Sequence, residues 1–187
     1  MSKLLVHTCC APCFVYIHED LTKSREIFTE DMKLDITSLW YNPNIQPKME
    51  YDRRKETLIN YCKDVNCKLD IIDSYNLNEF VKSSVNLDGF SCRCEYCYFT
   101  RLETAFKHAK ENNFDMVMTT LSISPYQNQE LIKKVAKQLE LKYGIKYIHL
   151  DYTKKFREGQ KMAKDLGLYR QKYCGCIFSI DEGKWEY

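Results

Sequence analysis

A chain of 187 residues with 44% hydrophobic content has room for one well-buried core, and a single α/β domain over residues 1–187 is the expectation. Its 28 Lys+Arg against 26 Asp+Glu leave a net charge of +2, so no global field draws it to nucleic acid or membrane, and any polyanion site must be a local patch. Met1-Ser2-Lys3 leads into a very short apolar run, and no stretch reaches the roughly 20 apolar residues of a membrane helix; a cytoplasmic location without a membrane partner is expected.

Leu4, Leu5 and Val6 form a short buried strand by pattern, followed by Cys9, Cys10 and Cys13 at a strand-to-helix turn. Pro12 suits the first turn of a helix that buries Phe14, Val15, Ile17 and Leu21. Residues 36–41 are β-prone and stop at Asn42-Pro43-Asn44. An amphipathic helix over 47–61 follows, with Arg53, Arg54 and Lys55 read as plain helix surface, and then a strand over 69–72. A short helix over 76–81 and a turn at Asp88-Gly89 deliver Cys92, Cys94 and Cys97. The next helix carries Tyr98, Leu102, Ala105, Phe106 and Ala109 at helical spacing as far as Asn112-Asn113, which places Cys94 and Cys97 at its N-terminus. A β-rich run over 114–121 precedes a helix capped at Ser124-Pro125 and stopped by Gly144. A strand over 147–150 and a helix containing Met162 and Leu166, ended by Gly167, lead to Cys174-Gly175-Cys176. Five strands alternating with helices predict a Rossmann-like layered fold, a mostly parallel sheet with helices on both faces. Cys9, Cys10, Asn42, Thr119, Thr120 and Asp151 then gather beyond the carboxyl ends of the strands, where ligands bind in such folds.

Ten cysteines without a secretory leader point to metal ligation and redox chemistry rather than a disulfide framework. Adjacent Cys9 and Cys10 bond each other only across a distorted peptide, so they seek partners elsewhere. One reading gives Cys9, Cys10, Cys94 and Cys97 as thiolate ligands of an iron–sulfur cluster; the competing reading is a four-cysteine zinc site that stabilises an RNA-binding module without turnover. Cys174 and Cys176 are either a strained, reducible dithiol given freedom by Gly175 or further metal ligands. Cys10-Ala11-Pro12-Cys13 has the form of a thiol–disulfide oxidoreductase motif, but that reading leaves Cys9 and two further clusters unexplained.

Asp151 is a candidate acid or metal ligand, set against the plainer role of strand-end cap. His7 is a candidate to orient the cysteines, His108 reads as solvated and His149 as strand packing. Lys154, Lys155, Arg157 and Arg170, interleaved with Phe156, Tyr169 and Tyr173, form a local basic patch able to grip phosphates and stack a displaced base.

The chain resembles the cobalamin-independent epoxyqueuosine reductases, the QueH family, through His7-Thr8-Cys9-Cys10-Ala11-Pro12-Cys13, Tyr41-Asn42-Pro43-Asn44-Ile45 and Arg93-Cys94-Glu95-Tyr96-Cys97-Tyr98. Thr119-Thr120-Leu121-Ser122-Ile123-Ser124-Pro125 and the stretch from Leu168 through Cys174-Gly175-Cys176 extend the match over nearly the whole sequence. The resemblance implies reduction of the epoxide of epoxyqueuosine at the tRNA wobble position, the last step of queuosine synthesis. It implies a 4Fe-4S cluster on Cys9, Cys10, Cys94 and Cys97, a redox-active pair at Cys174 and Cys176, an electron donor, and no cobalamin. Cys13 also matches a family position, and Cys13 with Asp151 is the candidate set for an additional metal ion. Cys62, Cys67 and Cys92 fall outside the motifs and read as incidental thiols.

Overall fold

The computed structural model describes residues 1–23, 34–87 and 89–180. Among them, β1 (Ser2–His7), β2 (Leu34–Trp40), β3 (Lys68–Ile71), β4 (Met116–Thr119) and β5 (Lys146–Tyr147) form one sheet in the order β3-β2-β1-β4-β5. All four pairings are parallel, and β1 lies at the centre with Leu4 opposite both Ile36 and Met116. Such a strand has no solvent face, which is why it reads as an unbroken apolar run. Leu4 and Val6 enter one core and Leu5 the other, all without exposure; full burial of a side chain of this size is worth about 1.5–3 kcal/mol.

On one face of the sheet lie α1 (Ala11–Lys23), α2 (Lys48–Asp64) and α6 (Phe156–Asp165), packed over Trp40, Met116 and Met118. On the other, α4 (Arg93–Glu111) and α5 (Gln129–Tyr143) cover Leu5, Leu39 and Val117, while α3 (Leu77–Asn86) leans on α4. The chain winds outward from β1 in both directions, so the crevice between β1 and β4 is the topological switch point.

Three expectations change in detail. The helix expected from Ser124-Pro125 starts at Gln129, because residues 124–127 close a turn through the Gln127 N–H to the Ser124 carbonyl (3.2 Å), and the side chain of Asn128 caps Leu131 at 3.0 Å. The last strand is Lys146–Tyr147 rather than 147–150: its pairing ends at Val117 opposite Tyr147, with one further bond from the Ile148 N–H to the Val117 carbonyl (2.9 Å), although β4 runs on to Thr119; His149 stands beyond the strand, its ring 6.0 Å from that of Tyr147. His108, expected in solvent, is half-buried with Nε2 at 2.8 Å from Asp70 Oδ2. Of the expected Asp88-Gly89 turn, Asp88 lies outside the described residues.

Candidate functional site

At the carboxyl edge of the sheet the ends of β1 and β4 are locked together. Thr119 Oγ1 accepts the Leu121 N–H and lies 2.8 Å from His7 Nδ1, while His7 Nε2 is 3.2 Å from the Tyr41 carbonyl. The carbonyl only accepts, so Nε2 carries the proton and Nδ1 accepts from the threonine hydroxyl. Complete burial, followed by the positive charge of Arg101, lowers the pKa of this imidazole to about 3 and keeps it neutral. One residue on, the Cys9 N–H donates to Thr120 Oγ1 (3.0 Å) and the same hydroxyl donates to Cys9 Sγ (3.3 Å).

Cys9, Cys10 and Cys13 bring their sulfurs within 4.8 Å of one another, with 3.7 Å between Cys9 and Cys10. Cys13 is thus a full member of the group, set by α1 one turn after the pair. Thiol donors on Cys10 and Cys13, with Arg101 and Thr120, pull the Cys9 thiol well below its ordinary range. The Cys10 thiol is pushed up chiefly by burial, and that of Cys13 chiefly by its bonds to the other two. Within the trio Cys9 is the thiol that loses its proton most readily, at the N-terminal end of α1 where the helix dipole favours negative charge. Gln171 closes this site from the far end of the chain, its Nε2 at 2.7 Å from Cys10 Sγ and 3.8 Å from Cys13 Sγ.

The second thiol group sits on the first turns of α4. Cys94 is exposed and Cys97 buried, and burial pushes the Cys97 thiol up to about 12 against the opposing pull of Arg101. Arg101, one turn further along α4 and 3% exposed, directs Nη1 at Cys97 Sγ (3.9 Å) and donates from Nη2 to Asn42 Oδ1 (2.7 Å). Asn42 in turn donates to the Thr8 carbonyl (2.9 Å), which links α4 to the Cys9 turn. No carboxylate pairs with Arg101 among the described residues, and its Nε has no partner. A buried cation in this state calls for an anion, which thiolates supply. The sequence analysis did not single out Arg101, although it stands in the same buried stripe as Tyr98, Leu102 and Ala105.

The Cys174-Gly175-Cys176 turn is pinned from the β2–α2 side. Arg54, read from the sequence as surface, is 2% exposed; it pairs with Glu50 at 2.6 Å and donates to the carbonyls of Cys174 (3.3 Å) and Tyr173 (3.1 Å). Burial of Arg54 follows from its place between Tyr51 and Leu58 on the inner face of α2. The Gln46 N–H donates to the Gly175 carbonyl (2.8 Å), and the Tyr173 hydroxyl donates to the Gln46 carbonyl. Gly175 has φ +103°, and a Cβ there would stand 2.8 Å from Ile45 Cγ1. Burial raises the Cys176 thiol to about 11, and the Arg93 guanidinium at the start of α4 lies 4.5 Å from the Phe178 ring, so the segment after the turn and the head of α4 share one neighbourhood.

Asp151 is not a member of the three-thiol group. It is exposed, and its Oδ1 accepts both the N–H (2.9 Å) and the hydroxyl (2.7 Å) of Thr153, which together hold its carboxyl below the usual range. Lys154, Lys155, Arg157 and Arg170 are all exposed, and Lys155 pairs with Glu158 at 3.0 Å. The aromatics of that patch are engaged elsewhere: Tyr169 lies under Arg53 (4.5 Å) and donates to Glu50, Tyr173 lies under Arg54 (4.9 Å), and Phe156 meets Tyr126 edge-on. Around the thiols, Asn44 Oδ1, Gln46 Nε2 and Gln171 Oε1 are buried without a hydrogen-bond partner, leaving two acceptors and a donor for a bound group.

The family model for Epoxyqueuosine reductase QueH matches residues 4–182. A protein of Dehalococcoides mccartyi named epoxyqueuosine reductase QueH is 32% identical over 178 residues, covering 95% of this chain and 92% of the relative. Another of that name from Thermotoga maritima is 32% identical over 190 residues, covering 97% and 92%. Among solved structures, the U34-tRNA thiolase NcsA from Methanococcus maripaludis with its 4Fe-4S cluster superposes with a TM-score of 0.60 at 15% identity, over 95% of this chain and 61% of that one, a likeness of fold. No helix among the described residues is long and apolar enough to cross a membrane. Sequence and architecture together place the chain in the epoxyqueuosine reductase QueH family.

Proposed function

We propose that this chain is a tRNA epoxyqueuosine reductase that converts the wobble-position epoxide to the alkene of queuosine, with the Cys174/Cys176 dithiol as its two-electron reservoir. The observation that carries this reading is the dithiol turn fastened by Arg54 and Gln46 beside the thiols of α4. In balance, the epoxide oxygen leaves as water with two protons and two electrons, while two thiols become one disulfide. An external two-electron donor restores the dithiol.

Cys9, Cys10, Cys94 and Cys97 are the proposed holders of a 4Fe-4S cluster, which supplies one-electron transfer when bound. The donor set suits it: the Cys9 thiol is held well below its ordinary range, and Arg101 offers an unneutralised buried charge to both thiol groups. The mutual approach of Cys9, Cys10 and Cys13 favours a second ligand set in which Cys13 replaces Cys94. His7 stays neutral and fixes the Cys9 turn, Thr120 donates to the Cys9 sulfur, and Gln171 covers Cys10. Asn44, Gln46 and Gln171 present their unpaired amide atoms to the nucleoside. Lys154, Lys155, Arg157 and Arg170 hold tRNA phosphates, an interaction weakened by salt.

The test is anaerobic purification followed by turnover of tRNA carrying epoxyqueuosine under a chemical reductant, without cobalamin. About four irons per chain and product formation are expected, with the pre-reduced wild type limited to a single turnover when the reductant is removed and Cys174→Ser and Cys176→Ser each forming no product. A colourless protein holding one zinc, or full multiple turnover in both variants, overturns the reading. Iron content separates the ligand sets, since Cys94→Ser loses iron in the first and Cys13→Ser in the second.

A further inference from the structure

Cys62 and Cys67, unassigned by the motifs, meet at the end of α2. The helix closes with Asn66 at φ +52°, the Cys67 N–H donating to the Cys62 carbonyl (2.8 Å) and the Asn66 N–H to that of Lys63 (3.2 Å). This is a Schellman closure, whose geometry presses together the side chains three residues before the cap and two after it. An apolar pair ordinarily occupies those two places; here both hold thiols, close enough for each to shift the other's pKa, while Cys67 Sγ also lies 3.4 Å from the Lys68 carbonyl and 3.9 Å from that of Ile36. Cys62 is 2% exposed, while Cys67 is only partly covered and open to a small reagent.

A third group completes the arrangement. His18 on α1 lies with Nδ1 3.3 Å from the hydroxyl of Tyr61, the neighbour of Cys62, and helps to lower the pKa of the Cys67 thiol. With a rise of about 1.5 Å per residue, His18 stands about 7.5 Å along α1 from Cys13, so this group is separate from the trio. The neighbouring Cys62 thiol, reinforced by His18, brings the Cys67 thiol down to about 5, and the same proximity pushes Cys62 up. The pair thus favours a single thiolate, and Cys67 is the member that a reagent can reach.

We infer that Cys67, Cys62 and His18 form a second thiol–disulfide site, in which Cys67 captures low-molecular-weight disulfides and Cys62 resolves the adduct. The Cys67 thiolate attacks one sulfur of the external disulfide, expelling one thiolate and leaving a mixed disulfide. Cys62 then loses its proton, attacks the Cys67 sulfur and expels the second thiolate, so one external disulfide becomes two thiols and an internal disulfide forms. The inference is independent of the epoxide reduction, because it uses none of those residues.

Anaerobically purified full-length protein, titrated with oxidised glutathione, quenched with acid and digested with trypsin without reductant, tests it. Cleavage after Lys55, Lys63 and Lys68 separates the two cysteines, so the internal disulfide is read as peptide 56–63 joined to peptide 64–68. Cys62→Ser is expected to accumulate glutathione on peptide 64–68, and Cys67→Ser to leave Cys62 unmodified. His18→Asn is expected to slow capture about tenfold at pH 7 with iron content unchanged. A pair that stays reduced while Cys94 or Cys174 is modified overturns the inference, as does capture by Cys62 in Cys67→Ser at the wild-type rate.

Discussion

Gly175→Ala tests whether the position of the dithiol, and not merely its presence, matters. At φ +103° a side chain strains the backbone by about 1–3 kcal/mol, and overpacking against Ile45 Cγ1 at 2.8 Å and Arg54 Nη1 at 3.2 Å adds roughly 1–3 kcal/mol. Ile45 is a buried part of the core and Arg54 is held by Glu50, so neither gives way at small cost. The turn therefore shifts outward and loses the Arg54 and Gln46 bonds to the Cys174 and Gly175 carbonyls. A bias of about 3 kcal/mol lowers the occupancy of the native pose by about two orders of magnitude if the turn has an outward alternative of equal energy, at 1.4 kcal/mol per tenfold. Single-turnover rates should fall at least tenfold while iron content is retained and Cys174 alkylates faster. Wild-type turnover together with unchanged alkylation of Cys174 and Cys176 would refute the positional argument.

Arg54→Met should destabilise the fold by about 3–5 kcal/mol, because Glu50 is left buried without its ion pair; urea unfolding of the iron-free protein reads this, and Arg54→Lys should recover part of it. Stability should also decline on acidification through His7. Its folded pKa of about 3 lies below the unfolded 6.5, so between those values the unfolded chain binds the extra proton, and the unfolding free energy drops by up to about 1.4 kcal/mol per pH unit as pH falls. His7→Gln should flatten that slope in iron-free protein. Asp151→Asn should keep its acceptor for Thr153 and leave activity within about twofold, whereas a loss of turnover would restore Asp151 to the reacting centre.

The sheet was legible because β1 and β4 are covered on both faces and so carry apolar runs, and because the strand ends collect hydroxyls and cysteines. Element boundaries were less so: β5 leaves β4 after Val117 although β4 runs on to Thr119, and the β-prone residues 147–150 carry no sign of that departure. In the site, the cysteine clusters announced themselves by spacing, but Arg54 and Arg101 did not. Both are charged residues on amphipathic helices, and only the partners folded against them, Cys174 120 residues away and Asn42 59 away, make them interior. Cys13 was legible as the third cysteine of its turn and a candidate metal ligand, and the fold brings its sulfur within 4.8 Å of those of Cys9 and Cys10.

Gln171, which covers Cys10 and Cys13, is 158 residues later in the chain than Cys13. At a synthesis rate of about 5–20 residues per second, the early thiols exist for roughly 8–30 s before their cover has been made. Throughout that interval the N-terminal half of the site is open to metal, oxidant or a loading partner, and the arrival of Gln171 and the dithiol turn shuts it. Loading of the nascent or newly released chain therefore has an order built into the polypeptide itself: the site is furnished first and covered afterwards.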